Sequence, residues 1–394
     1  MIDKIKSFAQ KHTKTKPAFN QVIFFMTILI SLFGMIIIFS ASSNLTIKYN
    51  LSPYYYVIRQ GLFVIPGILI MYLFSIIDFR FYRKYRYFIY GISIVFLLMA
   101  LFSPFAVLYN GYARRGLKLV FNFMPSDVYK IASIIFLSAF LVNNKLNEDK
   151  WVKGFIWTAI VILGPTILIY LQPDLSTFLV IVLALGSMYL LGGFRAKFFI
   201  PVILIFAAGL IFFYYNGRGY QLERVLAFLD PEKYKDSLSW HIMHSLYAVS
   251  RGGLFGVGYS KSVLKYGYLA DEVNSDMIFA VIAEELGFIV SIGFILYVFI
   301  LSMLILNEAK KVRSEFGKNL LTGIAFLYLI QSFVNIGVAI NAIPNTGITL
   351  PFISYGGTSI LIYFAMFGIV LNVSRFNNED LIRKRRSKKN KVVL

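Results

Sequence analysis

The chain has 394 residues, of which 58% are hydrophobic and 15% are charged, and its formal net charge at pH 7 is +20. This composition lies far outside the range of soluble domains. The chain has no cysteine and three histidines, which excludes disulfides, thiolate metal sites, cysteine nucleophiles and histidine-rich metal centres.

Ten apolar stretches are each long enough to cross the hydrocarbon core of a bilayer, which needs about 20 residues. In chain order they cover 20–40, 55–77, 86–104, 124–143, 153–171, 174–192, 197–215, 276–306, 319–343 and 350–374. Pro351, near the start of the last stretch, suits the first turn of a helix. We therefore predict an all-α, polytopic integral membrane protein with about ten transmembrane helices.

Lys and Arg residues are concentrated in alternate loops. Of the 39 basic residues, 26 lie on one side of the predicted membrane, in the two tails and every second loop. The positive-inside rule then places both termini in the cytoplasm and the long loop 216–275 outside, between the seventh and eighth spans. The predicted parts are a cytoplasmic tail (1–19), one membrane domain (20–374) and a basic cytoplasmic tail (375–394). The basic charge thus serves topology and does not indicate nucleic-acid binding.

The fourth span opens with Asp127 and Lys130. Their i,i+3 spacing puts both on one helix face as an ion pair. Two interpretations stay open: a pair that only orients the helix, and charged groups that line an interior cavity. Asp174 lies at a tight turn before the sixth span, where we expect it to cap the helix by accepting from free backbone amides.

The loop 216–275 is the one long polar stretch between the predicted spans. Its glycines, from Gly252 to Gly258, could hold a phosphate through backbone amides. The loop ends at Asp276, where a polar segment enters an apolar helix. A carboxylate in this position is costly, so we expect it to be functional. Glu284 and Glu285 follow two turns later, and Glu284 roughly shares the face of Asp276.

The segment from Pro344 to Ser359 is too irregular for an ordinary helix. Non-helical backbone at membrane depth is tolerated where it is buried in protein or lines a cavity. We therefore expect this segment to contribute to an internal site.

Taken together, these motifs resemble the SEDS family of polytopic membrane proteins, the group that contains FtsW, RodA and SpoVE. The chain is most similar in appearance to the FtsW branch. The matching residues are Asn110-Gly111 with Arg114; Pro125-Ser126-Asp127 with Lys130; Gln172-Pro173-Asp174-Leu175; Tyr220-Gln221 with Arg224; Leu229-Asp230-Pro231; Gly252-Gly253-Leu254-Phe255-Gly256 with Gly258; Asp276 with Ile278-Phe279-Ala280; Glu284-Glu285-Leu286-Gly287; and Pro344 through Ser359.

The resemblance implies a peptidoglycan glycosyltransferase in the bacterial cytoplasmic membrane, with its active site on the extracytoplasmic side. Such enzymes polymerise lipid II beside a class B penicillin-binding protein and other division or elongation proteins. Asp276 matches the family's essential carboxylate, the expected general base for the acceptor hydroxyl. Asp127, Asp174, Glu284 and Glu285 are expected to form a supporting polar network. The residues expected to bind substrate, in several cases by stabilising a pyrophosphate leaving group, are Arg114, Arg115, Lys130, Arg224, Lys261, Lys265 and Ser354.

The sequence departs from the family pattern at three places. Arg115 stands where the family usually has Trp, and Met124 where it usually has Gln. The segment that leads to Asp276 is one residue longer than usual. It carries Asp271 and Glu272, which either bind a divalent cation or form a solvated acidic loop. No other cofactor is implied.

Two other functions remain open. A flippase or transporter of a lipid-linked precursor would also need intramembrane charges, but no repeated pair of broken apolar segments is visible. A non-enzymatic scaffold for a penicillin-binding protein would not need Asp276 or Lys130 in costly positions. Small residues in the last two spans, among them Ala365 and Gly368, either form a docking face for the partner's helix or pack the helices of this chain's own bundle.

Overall fold

A computed structural model describes residues 20–109, 113–118, 122–144, 151–172, 174–192, 226–234, 239–266, 268–269, 273–345 and 347–392. Helices occupy nine of the ten predicted spans, and the remaining one, 197–215, lies outside the described residues. Six described helices are long and apolar enough to cross a membrane, and shorter apolar helices lie at 86–102, 160–171 and 175–191. The chain is therefore a multi-pass membrane protein, as predicted.

Twelve helices have bounds within the described residues, and residues 226–229 are also helical. The twelve are α1 (Gln21–Ala41), α2 (Ser43–Lys48), α3 (Tyr55–Ile76), α4 (Arg80–Lys84), α5 (Arg86–Phe102), α6 (Pro125–Asn144), α7 (Trp151–Leu171), α8 (Leu175–Leu191), α9 (Trp240–Gly252), α10 (Ile278–Lys311), α11 (Glu315–Ala339) and α12 (Gly357–Val392). Side-chain caps begin several of them: Asn20 Oδ1 accepts from the amides of Val22 and Ile23, and Ser314 Oγ from that of Gly317.

The all-α fold class is confirmed, and a small antiparallel sheet that was not predicted lies between α5 and α6. Its strands are β1 (Ala106–Tyr109), β2 (Ala113–Lys118) and β3 (Asn122–Phe123), in the order β1-β2-β3. Leu117 pairs with Ala106 on one side and with Phe123 on the other, and its side chain is fully buried. The segment is too short and polar for a span, and its β-branched and aromatic residues favour a pleated surface.

The helices divide into central and peripheral ones. In the apolar windows of α6, α11 and α12, 83%, 67% and 78% of residues are buried, against 39% in α1 and 28% in α3. The outward faces of α1 and α3 are apolar, as shown by Ile36 and Ile65. Such faces suit a helix that borders lipid, whereas the central helices have their polar groups enclosed by protein.

Helix α10 consists of two parts that meet at Gly287, where φ is 77° and ψ is −177°. Every residue from Ile278 to Glu285 is buried, but Phe288 and Ile289 are 58% and 54% exposed. The second part, 288–311, has 24 residues and spans about 36 Å at 1.5 Å per residue, enough to cross a bilayer. The predicted span 276–306 therefore covers both parts of α10, and the part that crosses the membrane begins and ends later.

The last helix begins at Gly357, seven residues after the predicted start at 350. The described residues between 340 and 356 form turns, bends and other irregular backbone, and Phe352 has φ 65°. The interpretation of Pro351 as a helix entry is wrong, whereas the expectation of irregular backbone from Pro344 onward is confirmed. The helix cannot start earlier because side chains, among them Ser354, bond the amides and carbonyls of this segment.

The predicted docking face for a partner helix is also corrected. Ala365 is 5% exposed. A Cβ at Gly368 would lie 2.5 Å from Met71 O and 2.7 Å from Phe74 Cβ, so α12 packs there against α3. These small residues let two helices of the same chain approach closely.

Candidate active site

Asp276 lies two residues before α10 and is partly exposed. Its backbone is held from the opposite helix: Asn335 Nδ2, on α11, donates to the carbonyl of Asp276 (2.9 Å) and to that of Ile348 (2.7 Å). Asn335 is 1% exposed. The buried amide thereby fixes the segment before α10 against the irregular segment 340–356.

Gly347 lies directly beside the carboxylate. A Cβ at this position would be 3.3 Å from Asp276 Oδ2, and the residue has φ 67°, a left-handed conformation that side chains rarely adopt. A side chain at residue 347 would therefore strain the backbone and crowd the carboxylate. Glycine here leaves space at Asp276 Oδ2.

Ser354 connects the same two segments. Its hydroxyl accepts from Leu350 N (2.7 Å) and donates to Ser275 O (2.5 Å). Tyr355 N donates to Asn274 O at 2.8 Å. Ser354 is 4% exposed, so the structure assigns it a part in positioning residues 274–276. The contact with substrate expected for Ser354 stays a prediction.

A second polar cluster lies inside the bundle around Lys130, on α6. Lys130 Nζ donates to Asp127 Oδ1 at 2.9 Å and to Gln331 Oε1 at 3.0 Å. Thr358 Oγ1 donates to Asp127 Oδ2 (3.3 Å), and Tyr363 OH to Gln331 Oε1 (2.7 Å). The predicted ion pair is confirmed. It joins α6, α11 and α12, since these residues come from all three helices.

The cluster also reaches the segment 340–356. Gln331 Nε2 donates to Thr349 O at 3.0 Å. The side chains of Lys130 and Asp127 are 3% and 9% exposed. Because a buried charge is costly once it loses its partner, the network depends on all of its members. Whether Lys130 also contacts substrate stays a prediction.

A third cluster surrounds Glu285, at the end of the first part of α10. Its carboxylate accepts from Lys265 Nζ (2.9 Å), Ser40 Oγ (2.6 Å), Ser260 N (3.0 Å) and Ser262 N (3.3 Å). Lys265 and Glu285 side chains are both 0% exposed. Glu285 thus connects α10 to the C-terminal end of α1 through Ser40.

Glu284 anchors the same loop at a second place. Its carboxylate accepts from Arg251 Nη1 (2.7 Å), from Val263 N (3.0 Å) and from the hydroxyl of Ser262. Two adjacent helical residues can bind one loop because α10 is interrupted at Gly287, so the loop passes across the break.

The glycine-rich stretch does not form the predicted phosphate cradle. Val257 N and Gly258 N donate to the carbonyls of Glu284 and Glu285, each at 3.0 Å, and Gly256 N donates to Gly252 O at 2.8 Å. These amides are therefore occupied by backbone carbonyls. The glycines are needed for packing, since a Cβ at Gly252 or Gly256 would collide with the backbone of α10.

Tyr259 lies close enough to Glu285 to be affected by its negative charge. Its hydroxyl donates to Ile36 O, on α1, at 2.9 Å. Burial raises the pKa of the Tyr259 phenol, and the charge of Glu285 raises it further. The phenol therefore stays protonated as a hydrogen-bond donor to α1.

The remaining predicted cations have mixed placements. Arg114 is exposed on β2, and its Nη1 donates to Leu101 O (3.2 Å). Arg115 Nε donates to Gln172 O (3.3 Å), and Lys261 is exposed in the loop before α10. Arg224 lies outside the described residues. The expected roles of these cations in substrate binding stay predictions.

The structure describes one of the three remaining acidic residues that were singled out in the sequence. Asp174 Oδ1 accepts from Thr177 N at 3.2 Å, which confirms it as the cap of α8. Asp271 and Glu272 lie outside the described residues. Within the described part of the chain, no group of three or more His, Asp or Glu residues could hold a metal ion.

Sequence reasoning missed Asn335, Gln331 and Ser40. Asn335 and Gln331 are four residues apart in an apolar helix, a spacing that puts two polar side chains on one face. Polar groups buried in a span need internal partners, so this pair was a usable signal. Nothing in the sequence marked Ser40 as a partner of Glu285, because a hydroxyl at a helix end is common.

The family model described as cell cycle protein, covering FtsW, RodA and SpoVE, matches residues 20–379. The chain is 32% identical over 368 residues to stage V sporulation protein E of Bacillus subtilis, covering 92% of this chain and 98% of that protein. It is 34% identical to the probable peptidoglycan glycosyltransferase FtsW of Taylorella equigenitalis, covering 89% of this chain and 96% of that protein.

Solved structures share the fold. A chain from a study of the structural coordination of polymerization and crosslinking by a peptidoglycan synthase complex superposes with a TM-score of 0.75 at 25% identity. The rod shape determining protein RodA of Thermus thermophilus superposes with a TM-score of 0.67 at 22% identity. Each match covers 91% of this chain and 98% of the solved one.

Proposed function

Because the chain belongs to the cell cycle protein family of FtsW, RodA and SpoVE, we propose that it is a peptidoglycan glycosyltransferase that polymerises lipid II. The single observation that carries the proposal is the placement of Asp276. Asp276 is a partly exposed residue directly before a half-helix whose residues 278–285 are all buried, and the glycine at 347 avoids crowding its carboxylate. A carboxylate held in this way can accept a proton from a positioned hydroxyl.

The reaction follows from that role. The acceptor sugar's 4-hydroxyl attacks the anomeric carbon of the donor, and its proton passes to the Asp276 carboxylate. A new C–O glycosidic bond forms as the C–O bond to undecaprenyl pyrophosphate breaks, with inversion at the anomeric carbon. The leaving group departs as an anion, so it needs cations rather than an acid. Arg114, Arg115, Arg224 and Lys261 are candidates for that function.

The proposed site faces the extracytoplasmic side of the bacterial cytoplasmic membrane. This orientation rests on the concentration of Lys and Arg in the tails and alternate loops, which puts both termini in the cytoplasm. The polyprenyl chain of lipid II would remain in the bilayer during transfer.

The deciding experiment is reconstitution of the purified protein with a class B penicillin-binding protein and labelled lipid II. We expect glycan strands from the wild type and at least about 100-fold less polymer from Asp276→Asn, because only the carboxylate can take the proton. Thermal unfolding of the Asn variant should match the wild type.

Other outcomes would change the assignment. Equal polymer from wild type and Asp276→Asn would exclude Asp276 as the base. Movement of lipid II across the vesicle membrane without polymer would favour a flippase. Neither polymer nor transport, with the partner still bound, would favour a scaffold.

The proposed partner is a class B penicillin-binding protein. The support is the structural match to a chain from a peptidoglycan synthase complex of polymerization and crosslinking. Relatives named FtsW and stage V sporulation protein E favour a role in division or sporulation over elongation. A fluorescent fusion at midcell would agree with this assignment, and one along the lateral wall would contradict it.

A further inference from the structure

Given the proposed function, the geometry of the Lys265–Glu285 ion pair indicates a role for these two residues that the function alone does not assign. Lys265 was expected among the cations that contact the pyrophosphate. The structure places its ammonium elsewhere: Lys265 Nζ donates to Glu285 Oε1 (2.9 Å), Ser40 Oγ (3.0 Å) and Ser260 O (3.0 Å). An ammonium has three N–H donors, and three acceptors occupy them.

The burial of both side chains also argues against a contact between Lys265 and the pyrophosphate. The side chains of Lys265 and Glu285 are both 0% exposed. A phosphate contact would require the ammonium to leave Glu285, whose carboxylate would then stay buried without its counter-charge. That state is strongly unfavourable. The two charges therefore belong to one another.

The pair is connected to Asp276 by a short, packed path. Leu269 N donates to Leu264 O at 3.1 Å, directly beside Lys265. Leu269, Val273 and Met277, which flank Asp276 along the chain, are fully buried in one apolar cluster. The described residues of this loop are thus fixed at Lys265 and packed at Leu269 and Val273 against Ala280 and Val281 of α10.

The other end of α10's first part is fixed by Asn335, through the carbonyl of Asp276. Asp276 therefore sits on a rigid unit with two anchors: Asn335 at its start and Glu285 at its end. We propose that Lys265 and Glu285 are positioning residues that hold this unit, and that Lys265 makes no contact with the substrate.

A charge-neutral double variant separates the two roles. In the reconstituted complex with lipid II, Lys265→Met leaves a buried carboxylate unpaired, and Glu285→Gln leaves a buried ammonium unpaired. Each should lower kcat about 100-fold with KM changed less than about threefold, as expected for a misplaced reacting group. The double variant Lys265→Met/Glu285→Gln removes both charges and should recover kcat to within about tenfold of the wild type.

The matched control is the Glu308–Lys311 pair, at the far end of the same helix. Lys311 Nζ lies 2.7 Å from Glu308 Oε1, but the Lys311 side chain is 64% exposed. Lys311→Met should leave kcat within about twofold, because the Lys311 ammonium is largely in water and Glu308 keeps its hydrogen bonds from Asn20 Nδ2 and Ser374 Oγ. All rates are measured well below each variant's unfolding temperature, so a loss of stability alone does not lower kcat.

Three results would overturn the inference. A folded double variant as inactive as Lys265→Met would show that the ammonium acts on the substrate. A folded Lys265→Met with normal kcat would show that the pair is only structural. If Lys265→Met does not accumulate, a folded but inactive double variant still contradicts the proposal. A wild type that makes no polymer refutes the proposed function instead.

Discussion

The two parts of α10 follow one another directly in the chain, on either side of the break at Gly287, but they are built differently. From Ile278 to Glu285 every residue is buried, and the carboxylates of Glu284 and Glu285 are held by the loop before the helix. After Gly287 the helix exposes large apolar side chains such as Phe288 and Ile289. The first part behaves as the core of a protein, where polar groups need partners, and the second as a membrane span. The two successive parts of α10 therefore connect the candidate site to the membrane-spanning region.

A substitution at Gly287 tests whether the break between the two parts of α10 is needed for activity. Gly287→Ala should have the largest effect, because the residue has φ 77° and its Cβ would collide with the backbone of Gly256. We expect loss of polymerisation by at least about 100-fold, from displacement of the loop and Asp276. Lipid II polymerisation by the purified complex measures it.

Gly293 provides the matched control in the second part. No heavy atom lies within 4 Å of a Cβ placed there. Gly293→Ala should leave activity unchanged and stabilise the helix slightly, by up to about 1 kcal/mol. Equal effects of the two substitutions would contradict the distinction between the two parts.

Isoleucines in the two parts test packing. Ile282 is 0% exposed and Ile292 is 38% exposed. Ile282→Ala should cost about 2–5 kcal/mol of stability, because it leaves a cavity in a closed core. Ile292→Ala should cost less than about 1 kcal/mol, since lipid chains can fill the space.

Thermal unfolding in detergent gives the comparison directly. A cost at Ile292 as large as that at Ile282 would mean that protein covers the second part too. That result would remove the assignment of 288–311 as a lipid-facing span.

Among the substitutions in the first part of α10, the smallest expected effect is at Glu284. Its partner Arg251 is 44% exposed, so the guanidinium can return to water when the carboxylate is removed. Glu284→Gln should cost about 2 kcal/mol or less, because Gln still accepts from Val263 N. Unfolding measurements on this variant and on Glu285→Gln should rank the fully buried pair as the more costly to break. The reverse order would contradict the view that burial decides.

Local patterns predicted most of the membrane architecture. Apolar length located nine helices close to their observed bounds, and the position of Asp174 before an apolar run identified the cap of α8. The i,i+3 spacing of Asp127 and Lys130 predicted their ion pair. These features depend on residues close in sequence, so one sequence suffices to find them.

The rest depends on contacts between distant residues. A glycine inside an apolar helix is common, and the break at Gly287 becomes necessary only because Gly252–Gly258 packs across it. The partners of Glu285 include Ser40, 245 residues away, and nothing near Ser40 marks it. The late start of α12 likewise depends on bonds between Ser354 and the segment before Asp276.

The bond between Ser40 and Glu285 also has a consequence for biosynthesis. At about 5–20 residues per second, a separation of 245 residues means roughly 10–50 s between the synthesis of the two partners. During that time the Ser40 hydroxyl lacks its bond to Glu285. A neutral hydroxyl without this partner costs less free energy than a buried ion without its counter-charge. Lys265 and Glu285, which carry the charges, are 20 residues apart and leave the ribosome within about 1–4 s of one another. The distant partner of this cluster is thus its neutral one, and the ions that most need each other are made together.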